Sequence, residues 1–292
     1  MGNTGPERSV PPAASGGGGA GQRPAGAAAG EGRERPLVGG ASALLTRRAA
    51  GFAALATLVG VYYGTHQFWF ELPLWWDLTW LCVLLIPAVF GLVWLALPLW
   101  RSPLRQLLVL ALSCGVAAAA LQATGAGVVA NFAKLAAMTF AAWCFLRFFE
   151  ELSWVVLVAV IVPFVDSYSV WRGPTNTIVN EKPEVFSALS FTFPVPGAEG
   201  GAMLGLPDLL FFALFLGAST RWGLRTGWTW VCLVAGLGGT MVLATWLDVG
   251  GLPALPLLSV GFLLPNADLL WREVQRARAR ARSARDRRAA PK

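Results

Sequence analysis

A chain of 292 residues that is 55% hydrophobic and only 13% charged is not an ordinary soluble domain, where about a quarter of residues are charged. Its net charge of +7 lies mostly in the two tails, a placement that anchors a membrane protein to its cytoplasmic side rather than one that tracks a nucleic acid. Apolar runs of about 20 residues recur without strict alternation, which predicts an all-α, polytopic transmembrane helical bundle and excludes a β-barrel.

Residues 1–40 are Gly, Ala, Pro, Ser and Arg with almost no bulky apolar groups, so they read as a disordered cytoplasmic tail and not as a signal peptide. Eight spans follow, near Ala49–Tyr63, Leu78–Leu97, Leu104–Leu121, Val128–Leu146, Leu152–Trp171, Leu204–Thr220, Trp228–Leu247 and Leu252–Trp271. The first four belong to an N-terminal section, 41–148. The last four form a second section, 149–271, which contains the one long connection, 172–203. That connection is punctuated by Gly173-Pro174, Pro183, Pro194 and Pro196-Gly197, and suits a lid or binding loop. The remainder, 272–292, is a basic cytoplasmic tail that attracts anionic lipid.

Loop charge sets the orientation. Arg33, Arg35, Arg47 and Arg48 precede the first span or open it. Arg101, Arg105, Arg147, Arg221 and Arg225 fall in the loops after spans two, four and six, and the tail after span eight is Arg-rich. The loops after spans one, three and seven have no Lys or Arg; only 172–203 breaks the alternation, with Arg172 and Lys182 accompanied by three glutamates. Both termini are therefore expected in the cytoplasm, which agrees with an even number of spans.

Conventional soluble-enzyme chemistry finds few residues here. The four cysteines (Cys82, Cys114, Cys144, Cys232) lie inside apolar segments without C-x-x-C spacing, and read as small buried hydrophobes. His66 is the single histidine and there is no H-E-x-x-H, so histidine-dependent proteolysis and His-liganded zinc are disfavoured. No metal or cofactor is expected.

Two aspartates stand out instead. Asp166 lies in span five and Asp208 just inside span six, and a carboxylate at membrane depth costs about 2.5–3.5 kcal/mol on insertion scales. Span five runs outward and places Asp166 roughly 7–8 Å from its outer end. Span six runs inward and places Asp208 about one turn from its outer start. Two carboxylates at matched depth on successive helices can share one proton. The charged member then takes a proton from water and the neutral member donates to a carbonyl oxygen. Each aspartate also has a plainer reading, Asp208 as a helix-start residue and Asp166 as part of an ion path. The third motif is Pro253-Ala254-Leu255-Pro256, where two prolines remove donors and hold the backbone extended beside that depth. An unwound substrate can pair with such backbone.

At these residues the chain resembles the presenilin and signal peptide peptidase family of intramembrane aspartyl proteases. That family carries Tyr-Asp in one helix, Gly-x-Gly-Asp in the next and Pro-Ala-Leu in the last. Here they read Val165-Asp166, Gly205-Leu206-Pro207-Asp208 and Pro253-Ala254-Leu255. The resemblance covers about residues 150–271. It implies catalytic Asp166 and Asp208, with Gly205, Leu206, Pro207, Pro253, Ala254 and Leu255 lining the substrate cleft. Val165 in place of tyrosine and Pro207 in place of glycine depart from the pattern and bear on rate and substrate preference. The family has nine spans against eight here. With 172–203 outside, the orientation is that of signal peptide peptidases, which implies transmembrane or signal-peptide substrates with a cytoplasmic N-terminus. High Gly, Ala, Arg and Trp content fits a GC-rich prokaryote, hence a plasma-membrane location. Two rivals remain: a proton-coupled transporter, which would show an internal hydropathy repeat, and a catalytically inactive relative that binds membrane segments.

Overall fold

The computed structural model describes residues 1–2, 38–172, 188–198, 200–249 and 251–275. Most of the N-terminal tail, residues 173–187 of the long connection and residues 276–292 of the basic tail lie outside the described residues. The chain is mostly helical. In chain order its helices are α1 (Val38–Thr65), α2 (Leu74–Arg101), α3 (Leu104–Ala123), α4 (Gly127–Leu146) and α5 (Leu152–Arg172). After a hairpin of β1 (Ser190–Pro194) and β2 (Gly201–Gly205) come α6 (Leu206–Arg221), α7 (Thr226–Trp246) and α8 (Leu255–Leu263). A 3-10 turn at Leu264–Asn266 follows α8, and the chain is helical again over 267–275.

Five helices, α2, α3, α4, α5 and α7, are long and apolar enough to cross a membrane. The other three differ from the expected spans in ways the sequence explains. The first helix begins at Val38, eleven residues before the expected span start at Ala49 and just inside the stretch expected to be disordered, and carries Arg47 and Arg48 within it. Helix α6 is 16 residues long and starts only at Leu206, because the residues before it are spent on a strand. Helix α8 is nine residues long, since Pro265 cannot donate to the α-helical ladder and the chain tightens into the 3-10 turn there.

The hairpin is the departure from an all-α chain, and it occupies the end of what reads as a long loop. Its strands pair antiparallel, with Phe191 opposite Leu204 and Phe193 opposite Ala202. Phe191 and Phe193 are fully buried and pack edge-to-face at 4.9 Å. The turn between the strands docks on the α1–α2 connection through a Gly197 N–H to His66 carbonyl bond of 2.9 Å. Gly197 has φ +70°, and a Cβ there would stand 2.7 Å from the Glu71 nitrogen, so only glycine fits.

Packing runs through close backbone approaches. A Cβ on Gly217 of α6 would meet Trp143 and Leu146 of α4 at 3.0 Å. One on Gly261 of α8 would meet the Cys232 carbonyl oxygen of α7 at 2.7 Å, and one on Gly236 of α7 the Leu257 carbonyl oxygen of α8 at 2.9 Å. Small residues at such crossings are how helices gain dispersion contact in a solvent that offers no hydrophobic drive between them. Phe262 of α8 stacks on Phe215 of α6 at 4.9 Å, and Phe90 of α2 lies 4.1 Å from Phe212 of α6, which puts α6 at the centre of the core.

Candidate active site

Asp166 sits in the last two turns of α5, three residues after Pro163. That proline lacks the N–H owed to Ala159, which loosens the helix just before the aspartate. Helix α5 packs mainly on α8 and only slightly on α6. The link to α8 is made at the aspartate itself, where Asp166 Oδ2 accepts the Leu255 N–H at 3.2 Å. Leu255 opens α8, so its N–H has no carbonyl within the helix. Pro256 follows and has no N–H to compete. Pro253-Ala254-Leu255-Pro256 therefore offers one well-placed donor, and Asp166 takes it.

Asp208 occupies the third position of α6, with Gly205 as the residue that caps the helix. Its carboxylate lies beside the Gly205 backbone N–H and within electrostatic reach of Asp166. A Cβ at Gly205 would come 3.2 Å from Asp208 Oδ2 and 3.5 Å from Pro207 Cδ. Gly205 thus keeps the space around the carboxylate open, and its φ of −61° shows that the requirement is room, not backbone freedom. The contact with Gly205 is half of a capping arrangement, so the helix-start reading of Asp208 holds alongside its approach to Asp166.

The remaining residues singled out in the sequence fall into two groups. Ala254 and Leu255 are buried, and Pro253, Leu206 and Gly205 are half-buried around the two carboxylates. Pro207 is exposed, and Val165 is 61% exposed on the outer flank of α5, turned toward surroundings rather than core. Among the described residues no three of His, Cys, Asp or Glu come together as a set that could hold a metal. All four cysteines are unpaired.

Sequence reasoning missed what holds the hairpin beside Asp208. Tyr62 Oη donates to the Pro194 carbonyl at 2.9 Å and Tyr63 Oη to the Thr192 carbonyl at 3.1 Å. From α4, Asn131 Nδ2 donates to the same Thr192 carbonyl at 3.3 Å, and the Thr192 N–H returns to Asn131 Oδ1 at 3.4 Å. Lys134 Nζ donates to the Ser190 carbonyl at 3.0 Å. Residues 190, 192 and 194 all face outward from the hairpin, as strand alternation requires, and each meets a side chain of α1 or α4. The outer edge of β1 is thereby closed. The same parity turns the backbone of Met203 in β2 away from β1 and toward the side where no strand of the described residues lies. The signal for this clamp was present as Asn131 and Lys134, two polar residues one turn apart in an apolar helix.

No family model matches the chain, and no curated protein matches it.

Proposed function

We propose that this chain is an intramembrane aspartyl protease, similar to presenilins and signal peptide peptidases, which hydrolyses peptide bonds within transmembrane segments. The observation that carries the reading is a convergence. Asp166 of α5 and Asp208 of α6 come within electrostatic reach, while the Leu255 N–H of α8 holds Asp166 at 3.2 Å. Three stretches far apart in sequence supply one small polar site among apolar helices.

The chemistry follows from two carboxylates sharing a proton. The ionised member takes a proton from water as the water oxygen bonds to the scissile carbonyl carbon. The neutral member gives its proton to the carbonyl oxygen. The amide nitrogen of the resulting gem-diol is then protonated, the C–N bond breaks, and a carboxylic acid and an amine depart. The substrate must be unwound for this, because a helix shields its own carbonyls. The outward-facing edge of β2 ends at Gly205, three residues before Asp208, and offers backbone groups to an extended segment. Val165 and Pro207 lie exposed at the rim, where they shape rate and substrate choice.

In this reading the eight helices form an eight-span bundle with both termini cytoplasmic, in the plasma membrane of a prokaryote. Substrates have their N-terminus in the cytoplasm. The test is cleavage of a type II-oriented transmembrane reporter by the purified protein in bilayers, beside Asp166→Ala and Asp208→Ala. Cleavage by the parent alone supports the proposal. An uncleaved reporter with the parent, while the protein still retains the segment, would make it an inactive binder instead.

A further inference from the structure

We propose a binding site for an anionic phospholipid in the groove between α1, α2 and α7, at the end of the molecule opposite the aspartates. The inference is independent of whether those aspartates hydrolyse anything. Two cavities lie end to end in this groove. The larger, about 660 Å³, is walled by apolar side chains, among them Leu55, Pro87, Leu95, Trp228 and Val231. The smaller, about 490 Å³, is lined by Arg48 and Arg101 together with Trp100, Leu97, Thr220 and Thr226. Trp94 lines both, so the two are adjoining compartments, one apolar and one basic.

Neither guanidinium of the smaller cavity is paired with a carboxylate among the described residues. The salt bridge among the described residues is Arg225 to Asp268, and no acidic side chain lines either cavity. Neighbouring arginines are already engaged. Arg147 donates to the Trp100 and Ser102 carbonyls at 3.0 and 2.9 Å, and Arg221 donates to the Leu146 carbonyl. Arg147 and Arg101 lie 5.4 and 5.8 Å from the centre of the Trp100 ring, which fixes the basic rim on a rigid aromatic base. A phosphate between Arg48 and Arg101 would receive charge-assisted bonds from both, and an acyl chain would fill the apolar compartment past Trp94. A free phosphate would use only the first compartment. The apolar one is what selects a lipid. Arg48 and Arg101 also belong to the end that loop charge places in the cytoplasm, where the anionic leaflet lies.

Native mass spectrometry of the full chain in detergent, offered equal phosphatidylglycerol and phosphatidylcholine, tests the site. The parent retains phosphatidylglycerol preferentially. Arg48→Gln and Arg101→Gln each lower that preference roughly fivefold, the factor equivalent to about 1 kcal/mol per arginine near an anionic surface. Gly227 also lines the larger, apolar cavity, and a Cβ there meets nothing within 4 Å, so Gly227→Leu fills the chain compartment without a backbone clash. It lowers retention of both lipids while the helical circular dichroism stays unchanged. Neutralising Arg276 and Arg278 in the basic tail leaves the preference intact. Three results overturn the proposal: a preference that survives both rim variants, one that is lost only with the tail variants, or displacement of the lipid by millimolar inorganic phosphate.

Discussion

Helices α4 and α5 are nearly equal in length and both apolar enough to cross a membrane, yet half of α4 is buried in the protein and only 11% of α5. Apolar character therefore does not decide which membrane helix joins the core. Helix α4 presents Ala130, Ala137 and Ala142, which let α6 approach, and it adds two polar hooks, Asn131 and Lys134, that bind the hairpin. Helix α5 presents Val160, Ile161, Phe164 and Val165 outward, and meets the rest of the protein chiefly through α8. One aspartate of the pair thus stands at the start of a core helix. The other stands on a peripheral helix held in place mainly by one short partner, α8. The pair is only as well set as the α8 packing that joins them.

Four substitutions and one matched control probe this contrast, and the largest effect is expected nearest the pair. Gly205→Ala puts a Cβ 3.2 Å from Asp208 Oδ2 without straining the backbone. The carboxylate must give by a few tenths of an ångström, and since a full ångström of misplacement costs on the order of a hundredfold, reporter cleavage should fall roughly severalfold with thermal stability nearly unchanged. Next is Gly261→Ala, whose Cβ meets the Cys232 carbonyl oxygen at 2.7 Å and pushes α8 from α7. Overpacking of this kind costs about 1–3 kcal/mol, visible as a lowered unfolding temperature in detergent together with weaker cleavage. Gly239→Ala, with its nearest neighbour at 3.6 Å, is the matched control and should change neither.

A smaller, local effect is expected at the other end of the comparison. Lys134→Met removes the donor to the Ser190 carbonyl and loosens β1 from α4. A charged hydrogen bond is worth about 1.5–3 kcal/mol, so amide exchange at Phe191–Phe193 should accelerate at least tenfold while α5 exchanges as before. Equal acceleration in both regions would mean that the hairpin and α5 unfold together. The smallest change in stability is expected for Val165→Tyr, on the exposed flank of α5, within about 0.5 kcal/mol. If a hydroxyl beside the aspartate assists the reaction, this variant should cleave faster than the parent at equal stability.

The sequence made the helices legible because apolar runs and their punctuation agree. Pro103 precedes α3, Gly127 opens α4, and most ends fall within a few residues of expectation. It hid the hairpin. Ser190-Phe191-Thr192-Phe193 does alternate, but over four residues only, and its partner Gly201-Ala202-Met203-Leu204-Gly205 lacks the β-branched and aromatic residues of a strand. What stabilises that pairing is distant: tyrosines on α1 and polar groups on α4, which no local pattern reveals. The extension of α1 back to Val38 was hidden for a similar reason, since its Gly, Ser and Arg residues carry no apolar period. The positions of Asp166, Asp208 and Pro253-Ala254-Leu255-Pro256 could be read directly, because polar groups and prolines are conspicuous against an apolar background. The Leu255 N–H as the partner of Asp166 could not, because it is a backbone group brought in from 89 residues away.

The most direct test of the central claim, that Asp166 and Asp208 act as one unit, is to compare reporter cleavage by the parent, Asp166→Asn, Asp208→Asn and the double variant. A shared-proton pair predicts that each single change abolishes cleavage and that the double change costs no more than either alone. Cleavage retained by either single variant, or losses that add, would contradict it.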